Sequence, residues 1–121
     1  MRFQSYFNTA IQLIKSYDGS IPLTHFLKQY FAQHKKHGSK DRKLISHLCY
    51  CYYRLGHALK KISVEEKLKI AIYLCNDEAG AWQILFDETW NEWSEDLNNR
   101  INFIQKKIPV FFFARYFSVA K

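Results

Sequence analysis

The chain lacks most of what staples, breaks or anchors a protein. Its 121 residues hold only three cysteines, two prolines and four glycines. An odd number of cysteines, without a secretory leader pattern, argues against a disulfide framework and points to a reducing compartment, so a cytoplasmic location is expected. No uninterrupted apolar run opens the chain, because Gln4, Asn8, Gln12 and Lys15 break the first segment. That segment is neither a leader nor a membrane span. Strand-like alternation is missing outside the last dozen residues, as are repeats and low-complexity linkers, which leaves an all-α domain as the expectation. Acidic charge is nearly missing from one region: positions 28 to 61 hold one acid, Asp41, against nine Lys/Arg and four His.

What is present is apolar and basic. Hydrophobic residues make up 48% of the chain and aromatics 17%, enough for one domain with its own core. The formal charge of +7 suits a phosphate-rich partner, although many basic proteins bind no nucleic acid. Its placement says more: positions 62 to 100 carry nine acids against three bases. The molecule is expected to be a dipole whose first half meets a polyanion, while the acidic half faces solvent or another protein.

Apolar periodicity predicts about six helices. Phe3, Tyr6, Phe7, Ala10, Leu13, Ile14 and Tyr17 line the first, ended by Asp18-Gly19-Ser20. Pro22, at the first helical position, starts a second with Leu23, Phe26, Leu27, Tyr30 and Phe31 inward, ending near His37-Gly38. Ser39 is the expected N-cap of the third, with Asp41 in its first turn against the helix dipole. On that helix Leu44, Ile45, Leu48, Cys51, Tyr52, Leu55 and Leu59 share an arc of about 120°. Lys43, His47, Tyr50, Arg54, His57 and Lys61 fall opposite if the helix persists through Gly56.

Ser63-Val64-Glu65-Glu66 is a capping box for a fourth helix with Leu68, Ala71, Ile72 and Cys75 inward. A fifth is expected over positions 79–90 with Trp82, Leu85, Phe86 and Trp90. A sixth is expected with Ser94 as N-cap, Glu95 and Asp96 in its first turn, and Pro109 just past its end. The helical domain is placed at 1–109. The tail at 110–121 is too apolar for a solvated terminus. It either docks on this core or leads into a further domain.

The run Gly38-Ser39-x-Asp41-Arg42-x-x-Ile45-x-x-Leu48-x-Tyr50, followed by Tyr53-Arg54-Leu55-Gly56, resembles the hallmark helix of NusB-like RNA-binding domains. In particular it resembles the N-terminal domain of the Sun (Fmu) type of ribosomal RNA cytosine-5 methyltransferase, over positions 23–59. The resemblance implies a compact, all-α NusB-like bundle that recognises RNA, ribosomal in the methyltransferases, and presents it to a following catalytic domain. That domain uses S-adenosylmethionine and two cysteines, each in a Pro-Cys motif. Here Pro22 precedes Leu23 and Pro109 precedes Val110, and no Gly-rich turn follows a strand. No catalytic site or cofactor is therefore expected in this chain; S-adenosylmethionine belongs to a catalytic domain beyond it. Whether the protein is an enzyme depends on whether the reading frame continues past Lys121. The alternatives are a stand-alone antitermination protein of this type, or a protein-interaction domain that has lost RNA recognition.

Lys35, Lys36, Lys40, Arg42, Lys43 and Arg54 are the expected RNA contacts, since Lys and Arg displace counterions and Arg grips phosphate bidentately. The competing reading is a solvated face, with Arg42 paired to Asp41 or to an acid on another helix. Tyr50 and Tyr53 are expected to pack at a helix boundary, with stacking on unpaired bases the alternative. His34, His37, Cys49 and Cys51 do not make a metal site, because Cys49 and Cys51 lie about 200° apart on a helix. The three cysteines read as small hydrophobes. Trp82, Trp90 and Trp93 sit among acids that read as solvated, with Trp82 in the core and a protein-binding face there as the alternative.

Overall fold

A computed structural model describes residues 2–56 and 62–108. The expectations for His57, Leu59 and Lys61, and for Pro109 and the tail at 110–121, lie outside them. Five α-helices and one 3-10 helix make up the regular structure of the described residues, with no strand among them. The all-α expectation holds. The helices are α1 (Arg2–Ser16), α2 (Leu23–Gln33), α3 (Ser39–Arg54), α4 (Val64–Cys75), a 3-10 turn at Gly80–Leu85, and α5 (Leu97–Lys107).

The core sits where α1, α3 and α4 pack on one another. In α4 the residues Ile70, Ala71, Ile72, Tyr73 and Leu74 are all buried, as are Lys67 and Leu68. Five consecutive buried positions leave no solvent face, so α4 is the central helix and not an amphipathic wall. Each fully buried large side chain there contributes about 1.5–3 kcal/mol. The Lys67 ammonium escapes isolation by donating to the Gly56 carbonyl at 2.9 Å and lying 4.6 Å from the Tyr52 ring centre. Desolvation pulls its pKa down.

Helix ends follow local chemistry, sometimes one residue away from expectation. α1 stops at a turn in which Asp18 accepts from the Ser20 N–H at 2.9 Å and Gly19 takes φ +82°. Pro22 is the N-cap of α2 and not its first residue. α2 also ends before the expected His37-Gly38, at Gln33. There His34 leaves helical geometry, its ring stacks on Tyr30 at 4.1 Å, and its Nδ1 lies 2.8 Å from the Tyr30 carbonyl oxygen. Gly38, not Ser39, caps α3, because Asp41 reaches back to accept the Gly38 N–H at 3.3 Å. At the other end of α3, Gly56 takes φ +60°, a left-handed stop that favours glycine.

The expected fifth helix is only the 3-10 turn, followed by an irregular stretch through Asp96. Its apolar residues are nevertheless buried as expected: Trp82, Leu85, Phe86 and Trp90 all lie in the core. Gly80 at φ +50° and the Asp87–Thr89 turn, in which Asp87 accepts from the Thr89 N–H at 2.9 Å, break the helical path. Tyr73 holds this segment from below by donating to the Glu92 carbonyl at 2.6 Å. The final helix is capped by Asp96, which accepts from the Asn98 N–H at 2.9 Å, while Ser94 supports the turn before it.

Candidate nucleic-acid interface

The register of α3 sets the surface. At 100° per residue, Lys43, Tyr50 and Arg54 fall within about 40° of one another, and Lys43 and Arg54 are about 16 Å apart along the axis. All three are exposed, Tyr50 at 43%. Opposite them Ile45, Leu48, Cys49 and Cys51 are buried, which fixes the rotation of the helix. Asp41, at the start of α3, accepts from the Tyr6 hydroxyl of α1 as well as from the Gly38 N–H. That tie anchors the end of α3 on which Arg42 and Lys43 sit.

Two open grooves meet at Tyr50. One, of about 600 Å³, is lined along α3 by Ser39, Arg42, Lys43, Ser46, His47 and Tyr50. The other, of about 360 Å³, runs between α2 and α3 and includes Thr24 and Lys28. Arg42, Ser46 and Tyr50 belong to both, so the two form one continuous surface. Arg42 Nε donates to the Gly38 carbonyl at 3.4 Å, a long bond that holds the stem of the side chain against the helix start. Among the described residues Lys28 and Lys43 have no carboxylate partner.

Of the six basic residues expected to act together, this surface unites Arg42 and Lys43. Lys35 and Lys36 lie exposed in the connection from α2 to α3, and Lys40 in the first turn of α3, outside both grooves. Arg54 stands at the far end of the helix. Lys28 and Thr24 escaped the expected set because they lie on α2, and only helix packing brings them beside Tyr50. The two tyrosines also part company. Tyr53 packs as expected, half-buried against Tyr17 and Tyr52, with its hydroxyl 3.4 Å from the Ile14 carbonyl. Burial pushes its pKa up to about 12.

Behind Arg54 lies a group of sulfurs. Arg54 Nη1 donates to the Cys75 thiol at 3.9 Å, and Cys51 Sγ is 3.5 Å from His47 Nε2. His47 Nε2 in turn lies 3.1 Å from Asn76 Oδ1. The hydrogen bond from Cys51, with Arg54 acting against burial, brings Cys75 down to about 7. Giving that bond, together with burial, drives Cys51 up. Cys49, buried among apolar neighbours, is pushed up to about 12. Of the three thiols, Cys75 is the one whose surroundings favour the thiolate.

Among the described residues no group of three His, Cys, Asp or Glu is arranged to hold a metal ion. The described residues contain no strand. No helix among them is long and apolar enough to cross a membrane. On the acidic side Trp82 and Trp90 are buried, and Trp93 Nε1 donates to the Asn76 carbonyl at 2.8 Å. These indoles are turned inward, and Ile84 is the large apolar side chain left exposed there.

No match emerged from comparison with protein-family models, with curated proteins or with solved structures.

Proposed function

We propose that this chain is an RNA-binding module that meets RNA through the α2–α3 face. The observation that carries this reading is the continuous open surface that Arg42 and Lys43 share with exposed Tyr50. Cations there neutralise phosphate, and none of the acids from Asp77 to Asp96 lines either groove. Lys28, Lys35, Lys36 and Lys40 extend the positive field, and Arg54 continues it along α3.

The resemblance of the stretch from Gly38 to Gly56 to NusB-like domains carries the reading further. On that ground we place the chain as the N-terminal module of a ribosomal RNA cytosine-C5 methyltransferase, acting in the cytoplasm. S-adenosylmethionine would be held by a catalytic domain outside this chain. This chain's own residues would bind and orient the RNA.

The test is fluorescence anisotropy with a labelled structured ribosomal RNA fragment and a matched DNA duplex at two salt concentrations. RNA binding tighter than duplex DNA binding, and weakening with salt, supports the reading. In folded protein, Lys43→Glu with Arg54→Glu should weaken all RNAs and lower the salt slope by about one unit for each phosphate left without its cation. Absence of RNA binding at low salt overturns it.

A further inference from the structure

Tyr50 is an unusual residue to leave in water. Apolar side chains of α3 are otherwise buried or half-buried, yet this ring is 43% exposed at the meeting point of two grooves. It is not loose, because its hydroxyl lies 3.0 Å from Thr24 Oγ1 on α2. A ring fixed at both ends, by the helix backbone and by a neighbouring helix, loses little entropy when something stacks on its open face.

The surroundings choose the ligand. Arg42 and Lys43 precede Tyr50 by two helical turns, about 10 Å along the axis. Lys28, on α2, lines the second groove together with Tyr50, so cations come to this surface from both helices. Ser46 lines both grooves, and Ser39 and His47 line one, giving donors and acceptors beside the ring. The α2–α3 groove also has apolar walls in Leu27, Phe31 and Ala32, but every charged side chain lining the two grooves is basic, so an uncharged apolar peptide would leave those cations without a partner. A nucleotide offers both a planar π-face and a phosphate. In a duplex the bases are already stacked on one another, so a lone exposed ring gains nothing from paired RNA; an unpaired base can be splayed out onto it.

We propose that Tyr50 is a stacking platform for one unpaired RNA base, with Arg42, Lys43 and Lys28 holding the adjoining phosphates. This rests on the RNA-binding reading and narrows its substrate class to single-stranded or looped RNA. Stacking of a base on an aromatic side chain contributes about 1–3 kcal/mol, which corresponds to a loss of about tenfold or more in affinity when the ring is removed.

The experiment compares an RNA hairpin bearing an unpaired loop with a fully paired RNA duplex, for the wild type, Tyr50→Ala, Tyr50→Phe and Lys43→Glu. Circular dichroism checks that each variant is folded. The expected result is that Tyr50→Ala weakens hairpin binding about tenfold and leaves duplex binding unchanged. Tyr50→Phe should retain hairpin binding, because stacking needs the ring and not the hydroxyl. Lys43→Glu should weaken both RNAs. If Tyr50→Ala changes neither RNA, or both equally, while Lys43→Glu still weakens them, the stacking platform is wrong and the basic RNA-binding face survives. If the wild type binds neither RNA, the RNA-binding reading itself falls, and the platform with it.

Discussion

Arg100 donates to the carbonyl oxygen of Leu74 at 3.0 Å, joining the first turn of α5 to the last turn of α4. The same guanidinium donates to the carbonyls of Ser94 at 2.8 Å and Glu95 at 3.0 Å. It is 5% exposed, and burial pulls its pKa down from the usual arginine value. A planar fork of donors is what three converging carbonyls require, and the C-terminal end of α4 favours a cation.

Arg100→Ala should therefore cost about 3 kcal/mol, since three carbonyls lose a charged donor in a water-poor position. Arg100→Lys should cost less, keeping the charge but serving fewer carbonyls. Urea unfolding monitored by circular dichroism measures both, and a loss under about 0.5 kcal/mol for Arg100→Ala would show the contacts to be incidental.

Tyr6 and Asp41 lie 35 residues apart in sequence and are joined by the tyrosine hydroxyl. Tyr6→Phe keeps the buried ring and removes one donor to a carboxylate, an expected loss of about 1.5 kcal/mol. Amide hydrogen exchange should show faster opening at the start of α3 than at its centre. Uniform exchange changes across the whole chain would mean that the bond does not act on α3 in particular.

The cysteines should separate by pH. Cys75, lowered to about 7, passes from thiol to thiolate as pH rises through that value. Its alkylation by iodoacetamide should climb between about pH 6 and 8 and then level off. Cys49, raised to about 12, stays protonated over that range, and Cys51 is raised too. Arg54→Ala should move the Cys75 midpoint upward by removing a nearby donor and positive charge. Peptide mass mapping reads each site, and equal labelling of the three cysteines at pH 7 would contradict the arrangement.

Trp93→Phe removes the indole donor to the Asn76 carbonyl while keeping an aromatic ring beside Tyr73 and Phe86. The expected cost is about 1 kcal/mol, seen as a lower urea midpoint with an unchanged slope. A changed slope would mean that the irregular segment before α5 had come away from α4.

Much of the helical architecture was legible in local pattern. The stripe Tyr6, Phe7, Ala10, Leu13 and Ile14 is buried as its spacing requires, and Ser63 caps α4 by accepting the Glu66 N–H at 3.1 Å. Both effects depend on residues within a turn or two of each other, so no knowledge of distant partners was needed. The segment from Ala79 to Trp90 was half legible: its apolar residues marked burial, but burial alone does not distinguish a helix from an irregular chain packed on one.

What the amino-acid order determined by itself was the all-α class, most of the inward faces of α1 and α3, from which the buried Ile11 and Cys49 were missing, and the concentration of positive charge on the α2–α3 half. Periodicity and net charge are properties of neighbours along a chain, and they survive any arrangement of the helices. Only the tertiary structure decided that Tyr50 meets Thr24 and shares a groove with Lys28 while Tyr53 packs against Tyr17, and that Arg100 is an internal clamp. These depend on which helix packs across each face, a choice made by contacts far apart in sequence, where residue type alone carries no instruction.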